Sequence, residues 1–241
     1  MLLGAGLQLP GGEWPRQIAC VYVPGGAEPL VEAVTRLSAK RHGGIEYMIG
    51  NAGETQVLLE TPRLVLRRFT LADVPVFAAY RSDPVIARYQ AWTAPVPLDV
   101  AAAKLREFAA ADLGQPGWFQ YAVELKADEC LIGDVGVDLH ENLVQAMLGF
   151  TVKADRQRHG YATEAVRAVL RDLFERRGLH RVSAECDTRN LRSARLLERV
   201  GFQLEGPSDQ WFKDEWTEGF LYGLNGDRWG QPTADHPAGA S

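Results

Sequence analysis

The feature that most constrains the fold is a basic, glycine-containing turn at residues 157–162 that leads directly into an amphipathic helix. Its apolar residues recur at the spacing of one helical face: Ala162, Val166, Val169, Leu170, Leu173 and Phe174. An apolar run at residues 147–152 predicts a strand just before the turn. A strand, a turn and a helix in this order direct free backbone N–H groups and the positive end of the helix at an anion. Arg156 and Arg158 add positive charge beside these N–H groups. The pattern therefore predicts a site for a pyrophosphate.

Two common phosphate-binding loops are excluded by the residues of this turn. No GxxxxGK[ST] string is present, and GxGxxG fails because Gly160 is followed by Ala162 at the second glycine position. Gln157, Gly160 and Ala162 do fit Q/R-x-x-G-x-G/A. This pattern resembles the acetyl-coenzyme A pyrophosphate loop of the GNAT N-acetyltransferases. An ordinary glycine turn before a core helix is the alternative for the loop alone.

A second stretch, further along the chain, strengthens the resemblance. Residues 180–186 alternate like a strand, and residues 190–202 have the pattern of a helix ended by glycine. The latter read N-x-x-S-x-x-L-L-E-x-x-G-F and resemble the second GNAT signature, whose Asn and Ser contact the pantetheine arm. Residues 61–84 resemble the start, and residues 211–224 the final hairpin, of the RimJ/RimL-like branch. The four stretches follow the family order.

The resemblance implies an α/β (α+β) fold of GNAT type. Its central sheet is mixed and mostly antiparallel, with two splayed parallel strands and helices on its flanks. We expect strands at residues 63–69, 121–125, 130–138 and 147–152, and helices at residues 71–81, 84–89 and 98–113. The wedge between the strands at 147–152 and 180–186 would admit the pantetheine arm, whose amides pair with strand backbone that the splay leaves unpaired.

Acetyl-CoA is the co-substrate that the resemblance implies. Backbone N–H groups of residues 158–163 are expected to bind its pyrophosphate, and a backbone N–H near Thr151 and Val152 is expected to stabilise the oxyanion. The cofactor-binding residues implied are Thr151, Val152, Gln157, Arg158, His159, Gly160, Tyr161, Ala162, Thr163, Asn190 and Ser193.

Acyl transfer from a thioester needs a neutral amine, an oxyanion donor and a proton for the departing thiolate. Leu197 stands where many relatives have a tyrosine acid, so Ser193 is the remaining candidate acid, as in RimL-type members; binding pantetheine alone is its alternative role. Met147 stands where relatives often have a glutamate base. Asp209 is the candidate base, and other groups stay open: Asp138, His140, Glu141 and Glu215.

The absence of an obvious base favours an acceptor of low basicity. An α-amine with a pKa of roughly 7.7–8 is partly neutral at pH 7, whereas a lysine amine near ~10.4 is not. We therefore expect acetylation of a protein or peptide N-terminus. A small amine, such as an antibiotic or metabolite, and a non-catalytic acyl-CoA-binding module are the alternatives. Trp92 and Trp211, in polar loop surroundings, are the candidate substrate-binding residues.

Composition excludes several other classes of function. A net charge of −5 argues against a nucleic-acid partner. The three cysteines form no CxxC pair and the histidines lack the spacing of metal ligands, so no metal site is indicated. No apolar run reaches the ~18–20 residues of a membrane span, and the start lacks the pattern of a signal peptide. A cytoplasmic location is the expectation.

Three regions are expected along the chain. Residues 1–59 form an N-terminal extension, with a strand at 17–23 and a helix at 29–40 that suggest a folded appendage. Residues 60–230 form the acetyltransferase domain, and residues 231–241 a polar tail. The extension is expected to pack on the sheet or on a second subunit, which would make a homodimer; a loosely held leader is the alternative.

Overall fold

The computed structural model describes residues 56–231, apart from the side chains at positions 210 and 212. These residues form one sheet of eight strands in the order β1-β2-β3-β4-β5-β6-β8-β7. The strands are β1 Val57–Glu60, β2 Leu64–Arg67, β3 Gly117–Leu125, β4 Cys130–Leu139, β5 Gln145–Val152, β6 Arg181–Asp187, β7 Gln203–Phe212 and β8 Glu215–Asn225. Within the described residues, β5 and β6 are the one parallel pair. The expected mixed, mostly antiparallel sheet is confirmed.

Five α-helices flank the described sheet: α1 Val74–Arg81, α2 Pro84–Ala87, α3 Leu98–Ala110, α4 Tyr161–Arg171 and α5 Leu191–Val200. A 3₁₀ turn at Leu71–Asp73 precedes α1, and two others lie at Ala154–Arg156 and Gly226–Arg228. Asn190 caps α5, and Gly201 ends it in the left-handed conformation at φ 108°, as the sequence pattern predicted.

Helices cover both faces of the sheet. Residues directly paired across neighbouring strands share a face, so Val135 and Val137 of β4 lie beside Phe150 and Leu148 of β5. This face packs on α4 and α5 and carries the main core. The opposite face is covered at its β2–β4 end by α1 and α3, which enclose a second core around Phe77.

The helix predicted after the basic turn has an irregular end. α4 continues into a π-helix at Asp172–Arg176, where the N–H of Arg177 donates to the carbonyl of Asp172 at 3.0 Å. The apolar stripe expected along this helix packs in the main core, because Val166, Val169 and Leu173 are buried. A π-helical turn changes which side chains face the sheet at the end of the helix.

Several edges of the predicted elements differ from the structure: the helices expected at 84–89 and 98–113 end at Ala87 and Ala110, and the strand expected at 63–69 is Leu64–Arg67. β3 begins at Gly117 rather than at residue 121, and β7 begins eight residues before the hairpin residues recognised in the sequence. β1 pairs with β2, so the sheet starts before the boundary drawn after residue 59. The strand expected at 17–23, the helix at 29–40 and nearly all of the tail lie outside the described residues. Among the helices of residues 56–231, none is long and apolar enough to cross a bilayer.

Candidate active site

The two parallel strands separate partway along their length. β5 and β6 pair only at Gln145–Arg181, Ala146–Val182 and Met147–Ser183. Beyond these pairs β5 continues to Val152 alongside β4, and β6 continues to Asp187 alongside β8. Alternate peptide groups of β5 and β6 therefore face a gap instead of a neighbouring strand. The predicted splay is confirmed.

A cavity of about 280 Å³ lies where this gap opens on the α4–α5 face. It is lined by Phe150 and Val152 of β5, by the basic turn, and by α5. The cavity brings the two sequence signatures together, although they are separated by a helix and a strand. Seven of the predicted cofactor-binding residues line it: Val152, Gln157, Arg158, Gly160, Tyr161, Ala162 and Thr163.

The backbone of the basic turn is shaped for an anion at the start of α4. Gly160 caps the helix with φ 80°, a left-handed conformation that favours glycine. Arg158 also has positive φ, at 65°. The Gln157 amide donates from Nε2 to the carbonyl of Val152 at 2.9 Å and ties the turn to β5. The first N–H groups of the helix are thereby left pointing outward.

An ion pair that the sequence did not indicate supports this turn from the connection between β1 and β2. The Arg63 guanidinium donates from Nε to Glu164 Oε2 at 2.7 Å and from Nη1 to the carbonyl of His159 at 2.8 Å. Thr61 Oγ1 donates to Glu164 Oε1 at 2.6 Å. Burial opposes the shift, but the hydrogen bonds of Thr61 and Arg63 lower the pKa of Glu164 below its usual value. These residues lie about a hundred positions apart in the chain, so no local pattern connects them.

The cavity is strongly basic. Five arginines line it, and three of them (Arg192, Arg195 and Arg199) follow one another along α5 at helical spacing. Burial, and then the charge of Arg195, lower the pKa of Arg192. Arg156 pairs with Asp128 at 2.9 Å. Such a concentration of positive charge favours a polyanion, and the spacing on α5 was readable from the sequence.

Asn190 and Ser193 lie at the start of α5, 2% and 1% exposed. Asn190 Oδ1 accepts from the N–H of Ser193 at 3.4 Å. Within residues 56–231, Asn190 Nδ2 and Ser193 Oγ have no hydrogen-bond partner. Buried polar atoms are rarely left unpaired, so these two fit the contacts with pantetheine that the second signature implies.

Thr151 and His159 are placed differently from the other predicted cofactor-binding residues. Thr151 pairs with Asp134 and its side chain is buried on the opposite face of the sheet, so only its backbone can face the gap. The His159 ring stacks on Tyr161, with centroids 5.6 Å apart. His159 would therefore contact a bound anion through its backbone N–H rather than through its ring.

The face opposite the basic cavity carries carboxylates at the point where the strands separate. Met147 lies between Asp138 on β4 and Ser183 on β6. Glu185 is two residues beyond Ser183 and therefore points to the same face. It is half-buried, and its Oε1 accepts from Ser208 Oγ at 3.1 Å. Glu185 was missed at the sequence level, although the alternation of β6 already placed it opposite the buried Ala184 and Cys186.

The candidate bases named from the sequence have different surroundings. Asp209 is exposed on β7, and Glu215 lies 3.9 Å from Arg189 Nη2 at the surface. His140 and Glu141 lie in the turn before β5, at the end where β5 and β6 are still paired. They are therefore away from the opening of the gap. Among residues 56–231, no three side chains of His, Cys, Asp or Glu are grouped to hold a metal ion.

The two candidate substrate-binding tryptophans differ sharply in exposure. Trp92 is 2% exposed, its Nε1 donates to the carbonyl of Arg81 at 2.9 Å, and the Arg81 guanidinium lies 3.8 Å from its ring centre. Its ring belongs to the second core, contrary to the polar loop surroundings expected. Trp211 is 58% exposed and packs edge-to-face on Trp216 at the tip of the β7–β8 hairpin.

Comparison with known proteins identifies the family. The sequence profile described as "Acetyltransferase (GNAT) domain" matches residues 63–203. The chain is 31% identical over 150 residues to the uncharacterized N-acetyltransferase YoaA of Bacillus subtilis, covering 62% of this chain and 84% of that protein. It is 26% identical over 178 residues to the uncharacterized N-acetyltransferase YnaD of the same organism, covering 71% and 98%.

Solved structures show the same fold. A GNAT-family acetyltransferase from Bacillus anthracis superposes with a TM-score of 0.62 at 23% identity, over 71% of this chain and 98% of that one. RimL, described as a ribosomal L7/L12 alpha-N-protein acetyltransferase, superposes with a TM-score of 0.62 at 15% identity, over 71% and 94%. With the family profile and the cavity geometry, these matches lead to one conclusion. The chain belongs to the GNAT family and is an acetyl-CoA-dependent N-acetyltransferase.

Proposed function

We propose that the acceptor of this enzyme is the α-amine of a peptide or protein N-terminus. The observation that carries the proposal is the open β7–β8 hairpin, whose tip presents Trp211 at 58% and Trp216 at 72% exposure. Large exposed aromatic side chains are typical of surfaces that bind another chain. An acceptor that continues beyond its reacting amine could use this surface, whereas a small amine would need enclosure.

The hairpin is held close to the face that carries Asp138 and Glu185. Lys213, in its turn, donates from Nζ to the carbonyl of Ala87 at 2.6 Å, at the end of α2. The Arg189 guanidinium lies 6.0 Å from the ring centre of Tyr89, in the segment that follows α2. These contacts favour an acceptor site between the α2–α3 segment, β6 and the hairpin.

In the proposed reaction, the neutral amine attacks the thioester carbonyl from this face. The C–N bond forms, and backbone N–H groups of β5 beyond Met147 stabilise the oxyanion. The C–S bond then breaks, and Ser193 supplies a proton to the thiolate and regains one from solvent water. Glu185 or Asp209 accepts the proton lost by the amine, directly or through water. Glu185 is favoured because it is half-buried beside the gap, whereas Asp209 is exposed.

The same arrangement explains why an α-amine is the better acceptor. A single carboxylate with no strong base beside it removes a proton more readily from an amine with a pKa of roughly 7.7–8 than from a lysine amine near ~10.4. The description of RimL as an α-N-protein acetyltransferase is consistent with this choice, but at 15% identity its likeness shows only the fold. The proposal therefore rests on the residues of this chain.

The proposal is tested by thiol release from acetyl-CoA with matched acceptors. One peptide has a free N-terminus and no lysine; the other has a blocked N-terminus and one lysine; small primary amines form a third set. We expect turnover with the first peptide. Trp211→Ala should raise its KM roughly tenfold, the loss of one well-packed aromatic contact, with the KM for acetyl-CoA unchanged. Leu143→Ala, an exposed apolar residue in the turn before β5, is the control.

Other outcomes would contradict the proposal. Turnover of the blocked peptide or of small amines, without turnover of the free N-terminus, would identify a different acceptor. Binding of acetyl-CoA with no turnover of any amine would indicate a non-catalytic acyl-CoA-binding module.

A further inference from the structure

A second cavity of about 280 Å³ lies at the far end of the helix that begins at the cofactor loop. It is enclosed by β1, the end of β2, the segment between α3 and β3, and the π-helix at Asp172–Arg176. Phe119 and Tyr121 of β3 form its floor on the α4 face of the sheet. The reaction described above uses none of these residues.

Two residues that line this cavity each have a buried oxygen atom that lacks hydrogen bonds within the described part of the chain. The Tyr121 side chain is 0% exposed, and its hydroxyl has no partner there. Asp172 is 2% exposed, and its Oδ2 accepts from Arg177 Nε at 2.6 Å. Its Oδ1 lies 2.9 Å from Arg176 Nη1 in an ion pair that lacks hydrogen-bond geometry. Tyr121 thus has a proton to donate, and Asp172 has an oxygen that can accept one.

The rim of the cavity has an excess of positive charge. Arg68, Arg176 and Arg177 line the cavity together with two carboxylates, Asp112 and Asp172, so one positive charge is left over. Arg68 is fixed by its hydrogen bond to the carbonyl of Ala111 at 2.6 Å and lies 5.1 Å from the Phe119 ring centre. Arg176 has a side chain that is 69% exposed and can reach an anion at the mouth.

We propose that this cavity binds a small hydroxylated carboxylate. Its hydroxyl group accepts a hydrogen bond from Tyr121 and donates one to Asp172 Oδ1, and its carboxylate lies at the arginines of the rim. A hydroxyl is the group that can satisfy both inner atoms at once, because it is a donor and an acceptor. Water has the same property, but the cavity has far more room than one bridging water needs.

The protonation state of Tyr121 agrees with this role. Burial, and then the charge of Asp172, raise the pKa of the Tyr121 hydroxyl well above its usual value. The hydroxyl therefore stays protonated at neutral pH and remains a donor. The inference is independent of the proposed acceptor, since it concerns a different cavity.

The test is calorimetry on the full chain with acids that differ only in hydroxyl groups. Glycerate and malate are the probes, and propionate and succinate are their hydroxyl-free counterparts. We expect the hydroxy acids to bind about tenfold more tightly, the order of a hydrogen bond gained in a buried site. Tyr121→Phe should remove this preference while leaving the affinity for acetyl-CoA unchanged. Tyr222→Phe is the control, because it deletes a buried hydroxyl that already bonds to Glu198.

A second variant separates charge from hydroxyl recognition. Arg176→Gln should weaken all four acids by a similar factor, because it removes charge at the rim and leaves Tyr121 in place. Its side chain is exposed, so it should fold even where a buried substitution does not. Equal affinity for the hydroxy acids and their counterparts, or no binding of any of them to the full chain, would overturn the proposal. A preference that survives in Tyr121→Phe would overturn it as well.

Discussion

The two cavities described above have similar volumes and lie at opposite ends of α4 and its π-helical extension, yet their charges are arranged differently. At the N-terminal end, arginines of the basic turn and of α5 converge on a helix start whose backbone is shaped by Gly160. At the C-terminal end, Arg176 and Arg177 both pair with the buried carboxylate of Asp172, which offsets one of their two charges.

The difference separates a cluster of like charges from charges that pair with a buried carboxylate. Like charges along α5 repel one another and are held together at a cost, which a bound polyanion offsets. Around Asp172 most of the charge is paired within the fold, so the arginines there leave a smaller excess of positive charge for a ligand. Among residues 56–231, a hydroxyl and one carboxylate oxygen at that end also lack hydrogen bonds, so the two cavities should select different ligands.

The largest effect is expected when the buried hydroxyl of Ser193, near the first cavity, is deleted. Ser193→Ala should lower kcat about a hundredfold, the lower end of what general acid catalysis contributes. The KM for acetyl-CoA should change little, because protonation of the thiolate occurs only in the transition state. Tyr121→Phe deletes the unpaired hydroxyl of the other cavity and should leave kcat unchanged. Steady-state kinetics of both variants checks this, and a rise in KM alone for Ser193→Ala would make it a binding residue.

A second test places an identical substitution at each end of the helix. Gly160→Asp and Gly178→Asp both force a side chain onto a left-handed residue, at φ 80° and 69°. Only Gly160→Asp puts a carboxylate at the anion site. A Cβ atom at position 160 would also lie 3.3 Å from Arg63 Nη2. We expect acetyl-CoA affinity to fall about fiftyfold in Gly160→Asp, from lost backbone contacts and charge repulsion. Calorimetry should show little change for Gly178→Asp; equal affinities in the two variants would remove the turn from the cofactor site.

The arginines of α5 give a smaller effect that depends on salt. Arg195→Gln with Arg199→Gln should weaken acetyl-CoA binding about tenfold at low ionic strength and less at high salt, because screening reduces the lost attraction. Dephospho-CoA, which carries less charge, should lose less affinity. Arg106→Gln with Arg171→Gln changes the net charge equally, but neither residue lines the cavity. An identical loss in both double variants would mean that overall charge, rather than the α5 arginines, governs binding.

The base can be located by comparing two conservative variants. Glu185→Gln should lower kcat/KM more than Asp209→Asn, by about tenfold, because only Glu185 is held beside the strand gap. The acidic limb of the pH–rate profile should disappear in the variant that lost the base. If that limb persists in Glu185→Gln and is lost in Asp209→Asn, the base is on β7.

The smallest effect concerns the ion pair that supports the cofactor turn. Because the folded-state pKa of Glu164 is lowered, its contribution is present above its usual pKa and is lost as pH falls through the folded value. Glu164→Gln should therefore reduce stability at pH 7 by about 1 kcal/mol, a modest figure because Arg63 is 46% exposed. Thermal melts should show this difference shrinking below about pH 4, the usual range of a glutamate. A constant difference from pH 7 to pH 3 would contradict the assignment.

Much of the fold and of the cofactor site could be predicted from local patterns. The stripe of α4, the Asn190 and Gly201 caps of α5, and the glycine turn each depend on residues a few positions apart, where helical period and backbone conformation decide the outcome. The strand alternation around Ala184 was equally readable. Local patterns failed at the ends of elements: the hairpin turn Lys213–Asp214 has positive φ at both residues without the Asn-Gly pair that usually signals it.

The sequence by itself determined the two signatures, their order and the charge beside them, because these features depend on neighbours in the chain. Only the tertiary structure decided which distant residues meet. It brought Arg63 to Glu164, set Met147 between Asp138 and Ser183, and buried Trp92 against Arg81. It also placed Tyr121 and Asp172 on one cavity. Strand register and packing fix such contacts, and a shift of one residue in register would move every side chain of a strand to the other face.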